Sequence, residues 1–139
     1  MAKTTVREAM TSLPRSIEGG ESVVEAAQRM ASEDVGSLPV VEGGELVGMV
    51  TDRDLVLYVI AKALDPRSVT VSEVATRNPV VASPEEPLDE ALHRMAQEQI
   101  RRLPVVDDGR LVGILAQADV ARVAKATSTG AMVEQISQA

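Results

Sequence analysis

The chain has almost no aromatic residues: no tryptophan, no phenylalanine, and Tyr58 alone among 139 residues. Its core must be aliphatic, and the stacking platforms that hold single-stranded nucleic acid are missing. Cysteine is absent too. That excludes a disulfide framework and a thiolate metal site, and a reducing compartment fits. Positive charge is scarce: 14 Lys and Arg face 21 Asp and Glu, for a net charge of −7 at pH 7. Such a chain repels a phosphate backbone, so no nucleic-acid partner is expected. The longest apolar run, Leu55–Ile60, is far shorter than the ~20 residues that cross a bilayer. The opening Met-Ala-Lys-Thr-Thr lacks the apolar stretch of a secretion signal. A soluble, cytoplasmic protein with no membrane partner is expected.

What the chain does have is a duplication. Leu38-Pro39-Val40-Val41 returns as Leu103-Pro104-Val105-Val106, Leu46-Val47-Gly48 as Leu111-Val112-Gly113, and Arg29-Met30-Ala31 as Arg94-Met95-Ala96. The offset is 65 each time. Laid over one another without a gap, residues 6–59 and 71–124 agree at 20 of 54 positions. Repeats of this length are copies of one supersecondary unit that cannot bury its apolar face alone. A half of ~60 residues would be marginal by itself, so one body of two lobes is expected. The reading divides the chain into a first repeat over 1–65, a second over 66–126, and a tail or short helix over 127–139.

Each copy reads as β-α-β-β-α. A helical lead-in (Thr5–Met10; Val71–Ala75) runs to Pro14 or Pro79, which should force extension in the residue before it. A short strand follows near Arg15–Ile17 and Val80–Ala82. Ser22 and Glu25 then form a capping-box pattern, and Val23, Ala26, Ala27 and Met30 follow helical spacing. In the second copy Pro87 suits a helix start, and Leu88, Ala91, Leu92 and Met95 trace the same stripe. The runs Ser37–Val41 and Leu46–Val50 flank Glu42-Gly43-Gly44, and Arg102–Val106 and Leu111–Leu115 flank Asp107-Asp108-Gly109. Both are hairpin signals. Gly48 and Gly113 inside strands imply close backbone approach. A last helix is expected over Asp52–Ala63 and Gln117–Lys125, and a further short one over Ala131–Gln138. The fold class is α+β.

The order strand, helix, Leu-Pro-Val-Val-acid, glycine turn, Leu-Val-Gly, then Gly48-Met49-Val50-Thr51-Asp52-Arg53-Asp54-Leu55 resembles the CBS (cystathionine-beta-synthase) domain, which occurs in tandem pairs. The second copy, Gly113-Ile114-Leu115-Ala116-Gln117-Ala118-Asp119-Val120, keeps the aspartate and loses the threonine. The resemblance covers roughly Val6–Lys125, and the chain resembles the small stand-alone bacterial proteins of this family. It implies two copies packed about a pseudo-twofold axis, with clefts that bind AMP, ADP, ATP, NAD or S-adenosylmethionine. It also implies a homodimer and a regulatory signal to a protein partner. No covalent cofactor is implied.

The resemblance gives Asp54 and Asp119 the two ribose hydroxyls; an ionised carboxylate is acceptor-only and can take both. Each could equally be a helix-start acid favoured by the macrodipole. Thr51 is a candidate for ribose or phosphate as well as an N-cap; Ala116 can be neither. Arg53 is a phosphate candidate or a solvated side chain. Arg101 and Arg102 stand where the first copy has Gly36 and Ser37. Neighbours on a strand point to opposite faces, so one of the two is the phosphate candidate, against a salt bridge to Glu98 or Asp107. Ser16, Ile17, Ser37 and Pro39, with Val81, Ala82 and Pro104, are the resemblance's candidates for the base wall, while Leu38, Val40, Leu103 and Val105 read as core. Met30 and Met95 read as core and His93, the only histidine, as surface. With no Cys and one isolated His, no nucleophile–base pair is available, and Asp52 and Asp54 do not face each other on a helix start. No enzyme is expected. The competing reading is a dimerising scaffold with degenerate clefts.

Overall fold

The computed structural model describes residues 4–127; the expected Ala131–Gln138 helix and the linker before it lie outside them. The first copy runs α1 (Val6–Ala9), β1 (Thr11–Ser12), β2 (Ile17–Glu18), α2 (Val23–Glu33), β3 (Ser37–Glu42), β4 (Glu45–Thr51) and α3 (Asp52–Leu55). The second runs α4 (Val71–Val74), β5 (Thr76–Arg77), α5 (Leu88–Glu98), β6 (Arg102–Asp107), β7 (Arg110–Ala116) and α6 (Gln117–Thr127). Two repeated β-α-β-β-α units on mixed sheets result, with Ala82 standing in the second for the short strand.

The compact units are offset from the sequence repeats. One comprises residues 15–79, the other the described residues up to Pro14 together with those from Val80 onward. Each unit takes its lead-in from the other repeat. In the 15–79 unit, β2 runs parallel to β3, β3 antiparallel to β4, and β4 antiparallel to β5. In the other unit Ala82 bridges Val105 in parallel, β6 pairs antiparallel with β7, and β7 with β1. The lead-ins are tied in by matching bonds. Val6 N–H donates to Glu86 C=O and Leu88 N–H to Thr4 C=O, at 3.0 and 2.8 Å; Val71 N–H donates to Glu21 C=O and Val23 N–H to Val69 C=O, at 2.8 and 2.9 Å.

Burial follows the apolar stripes. One core gathers Ile17, Val23, Met30, Leu38, Val40, Val50 and Val71; the other gathers Val6, Leu92, Met95, Leu103, Val105 and Leu115. All-aliphatic packing was expected, as was the place of Leu38, Val40, Leu103, Val105 and both methionines. The hairpins turn through left-handed pairs, Gly43-Gly44 and Asp108-Gly109, whose backbone twist suits two-residue loops.

Four details differ from the sequence reading. Leu13 and Asn78, before the prolines, are left-handed (φ 52° and 54°) rather than extended. Proline steric pressure only disfavours the right-handed helical region there, and at both points the chain turns on leaving a two-residue strand, β1 or β5. The short strand is Ile17–Glu18 in one unit and a single bridge at Ala82 in the other. Ser22 Oγ accepts from Glu25 N–H at 3.4 Å, but Glu18 N–H is taken by Glu21 Oε2, and no reciprocal bond from Glu25 closes the box among the described residues. The helix expected over Asp52–Ala63 passes after one α-turn into a π-helical stretch, Val56–Ile60. Ahead of α4, a 3-10 turn at Pro66–Ser68 is capped by Asp65, whose carboxyl is held below its usual range by the Arg67 backbone N–H and then its guanidinium.

Gly48 and Gly113 are where the lead-in strands pass. A Cβ on Gly48 would lie 2.6 Å from the Thr76 carbonyl oxygen, and one on Gly113 2.5 Å from Met10 Sδ. The first obstacle is backbone and cannot swing away. Gly48→Ala is expected to lower unfolding free energy in urea by about 1–3 kcal/mol. Gly20→Ala, with nothing within 4 Å of its Cβ, should change it by no more than about 0.5 kcal/mol.

Candidate functional site

The strand-to-helix corner after β4 recurs after β7, and each corner is closed from within. Asp52 N–H donates to Gly36 C=O at 2.9 Å; Gln117 N–H donates to Arg101 C=O at 3.1 Å. The residue beginning β3 or β6 therefore sits beside the helix start: Ser37 pairs with Thr51 and Arg102 with Ala116. A carboxylate then folds back over the corner. Asp54 Oδ2 accepts from Thr51 N–H at 2.9 Å, and Asp119 Oδ2 from Ala116 N–H at 3.1 Å. This is the helix-cap role, present in both copies.

The two corners differ beyond that bond. In the first, Thr51 Oγ1 accepts from Asp54 N–H at 3.1 Å, completing a capping box. Asp54 is half-buried, and among the described residues nothing bonds its Oδ1. In the second, Ala116 has no hydroxyl, and Asp119 is only 7% exposed. Thr11 Oγ1, arriving on β1, donates across both carboxylate oxygens at 3.1 and 3.2 Å. Arg122 adds an ion pair at 3.4 Å. The matching residues are Thr76 and Leu57, and no bond joins Thr76 to Asp54 among the described residues. Sequence reasoning missed Thr11. The signal was available: Thr11 and Thr76 agree at the repeat offset.

The remaining candidates separate by exposure. Arg53 and Arg101 are exposed and Arg102 half-buried. Among the described residues none of the three forms an ion pair, so the expected alternatives of Glu98 or Asp107 are not partners. Ile17 is 1% exposed and Ala82 2%; their side chains belong to the cores, and only their backbone edges can face a ligand. Pro39 and Pro104 are buried too. Pro104 turns its carbonyl to the short strand, accepting Ala82 N–H at 2.9 Å. The carbonyls of Ser16 and Val81 are occupied by Arg29 and Arg94 at 2.6 and 2.9 Å, and the same arginines bond Glu21 and Glu86. His93 is exposed, as expected.

The model of the CBS domain matches residues 6–61 and 71–126. The chain belongs to the CBS domain family. Among curated proteins, CBS domain-containing protein YhcV of Bacillus subtilis is 42% identical over 118 residues, 85% of this chain and 84% of that protein. Among solved structures, CBSX2 in complex with AMP superposes with a TM-score of 0.77 at 31% identity, covering 89% of this chain and 98% of that one; CBSX2 is from Arabidopsis thaliana. The CBS domain pair of protein MJ0100, in complex with 5′-methylthioadenosine and S-adenosyl-L-methionine, has a TM-score of 0.72 at 34% identity, covering 91% and 99%.

The asymmetry between the corners is directly measurable. Thr11→Val removes a donor from a buried carboxylate and is expected to cost about 1–2 kcal/mol in urea unfolding. Thr76→Val, at the same repeat position without that bond, should stay within about 0.5 kcal/mol of the wild type.

Proposed function

We propose that this CBS pair is a non-catalytic regulatory module that binds an adenosine-containing ligand through Asp54 and Asp119 and signals to a protein partner in the cytoplasm. The observation that carries the reading is the matched corner: one carboxylate at the same place in both repeats, each beside the first residue of a hairpin. Asp54 keeps an oxygen open for a ribose hydroxyl. Thr51 and Arg53 border it in the first copy, and Arg101 or Arg102 in the second. The backbone edges at Ser16–Ile17 and Val81–Ala82, with Ser37, Pro39 and Pro104, are the proposed base wall. CBS relatives of similar fold hold AMP in one case and S-adenosyl-L-methionine in another, which supports the ligand class.

Thermal melting against AMP, ADP, ATP, NAD and S-adenosylmethionine tests it. A true ligand at 100 times its Kd stabilises by about 2.7 kcal/mol. The shift should shrink in Asp54→Asn, which keeps a cap acceptor but loses the charge. No shift with any of the five would favour the scaffold reading, which the occupied Asp119 and Ala116 support for the second corner.

The proposal includes a homodimer. Val56, Leu57, Tyr58, Ile60 and Leu64, on and shortly after the π-helical stretch, are 38–69% exposed, a concentration of exposed apolar side chains of the kind that marks an interface. Ile60→Asp should convert a dimer to a monomer in sedimentation equilibrium without lowering the melting temperature of a dilute sample. A wild type that sediments as monomer at micromolar concentration would remove this part of the proposal.

A further inference from the structure

We infer that the two corners divide adenosine ligands by charge: the second takes the phosphorylated ones, the first those that are neutral or cationic beyond the ribose. The inference rests on the proposed adenosine reading and deepens it.

The argument starts from what surrounds the shared carboxylate. In the second corner Arg122 already pairs with Asp119 at 3.4 Å, so that carboxylate is neutralised locally. Arg101 and Arg102 then stand uncompensated among the described residues. Arg102 is half-buried and directly opposite Ala116 in the β6–β7 ladder, which places its Cβ within about 5.5 Å of that residue's. A side chain of this length rooted there is long enough to span the corner, and its planar fork of donors matches a phosphate.

The first corner reverses each of these features. Gly36 and Ser37 replace the two arginines. Asp52 replaces Gln117, and its side chain lies against Gly36, where a Cβ would sit 3.2 Å from Oδ2. Asp54 has no cationic partner among the described residues. Two carboxylates and one arginine, the exposed Arg53, stand within three successive residues here, and Asp52 Oδ1 accepts the Arg53 backbone N–H at 2.8 Å. A phosphate would be repelled here, and a sulfonium or amine drawn in.

Calorimetric titration of AMP, adenosine and S-adenosylmethionine into the wild type, Arg102→Ser and Asp52→Gln separates the outcomes. Each variant installs the other copy's residue, at an exposed position for Asp52 and a half-buried one for Arg102, and ligand-free melting checks its fold. Arg102→Ser should weaken AMP binding about tenfold or more, the worth of one charge-assisted contact, and leave adenosine and S-adenosylmethionine within about twofold. Asp52→Gln should weaken S-adenosylmethionine several-fold and spare AMP. Equal effects of either variant on all three ligands, or no effect on any, would overturn the division by charge while leaving the sensor reading standing. A wild type that binds none of the three would remove both.

Discussion

Each sheet is finished by a two-residue strand that fits only because a glycine leaves room for it. β5 passes Gly48 and β1 passes Gly113, and at Gly48 the obstacle to any side chain is the backbone carbonyl of Thr76. The rest of each unit depends on this passage. The lead-in helices supply Val6, Ala9 and Val71, all 0% exposed, and their backbone bonds to Glu86, Leu88, Glu21 and Val23 anchor the start of the long helix in each unit. Without the lead-in, a unit loses a strand and part of its core together. Because each lead-in comes from the other repeat, neither repeat closes its own core. A unit of this size, in a chain with a single aromatic residue, needs the buried area that its lead-in adds.

The same exchange brings a hydroxyl to the second corner. Thr11 rides on β1 to Asp119, so the state of that carboxylate is coupled to the seating of the N-terminal segment. The first corner differs. Thr51 Oγ1 accepts the Asp54 backbone N–H, and no second donor reaches the Asp54 carboxylate among the described residues, whereas Asp119 accepts from Thr11 and pairs with Arg122. A buried carboxylate without partners is costly, and at 7% exposure Asp119 needs the donors it has. One substitution in the cap, Thr to Ala, thus goes with a different hydrogen-bond economy around an identical acid.

Much of this was legible in the chain. The repeat located the units' contents, the hairpin turns and the helix stripes, because aliphatic spacing and glycine placement report directly on burial and backbone conformation. What escaped notice lacked a periodic signal. Two-residue strands such as β1 and β5 are too short for alternation to show. The π-helical stretch at Val56–Ile60 differs from an α-helix by one hydrogen-bond register and has no side-chain signature. The exchange of lead-ins is a choice between two ways of satisfying one apolar pattern, and the pattern is identical in both. At the corners the sequence located Asp54, Thr51 and Asp119, but the partner that separates them, Thr11, is distant in the chain and visible only through its repeat mate.

The way the copies have diverged carries the final step. Across positions 49–59, matched to 114–124, the carboxylate of Asp54 and Asp119 is the one identity. Its neighbours on both sides differ: Thr51 against Ala116, Asp52 against Gln117, Arg53 against Ala118, Leu57 against Arg122. Closing the corner requires only an acceptor for the backbone N–H three residues earlier, a task that asparagine or serine also performs at helix starts. Retention of a full carboxylate in both copies, amid so much replacement, fits a second demand on the same group. On the proposed reading, these replacements stand where a ligand's variable end would lie beside a fixed acceptor. A duplicated unit that keeps its acceptor and changes its rim has the means to hold one chemical moiety in two settings.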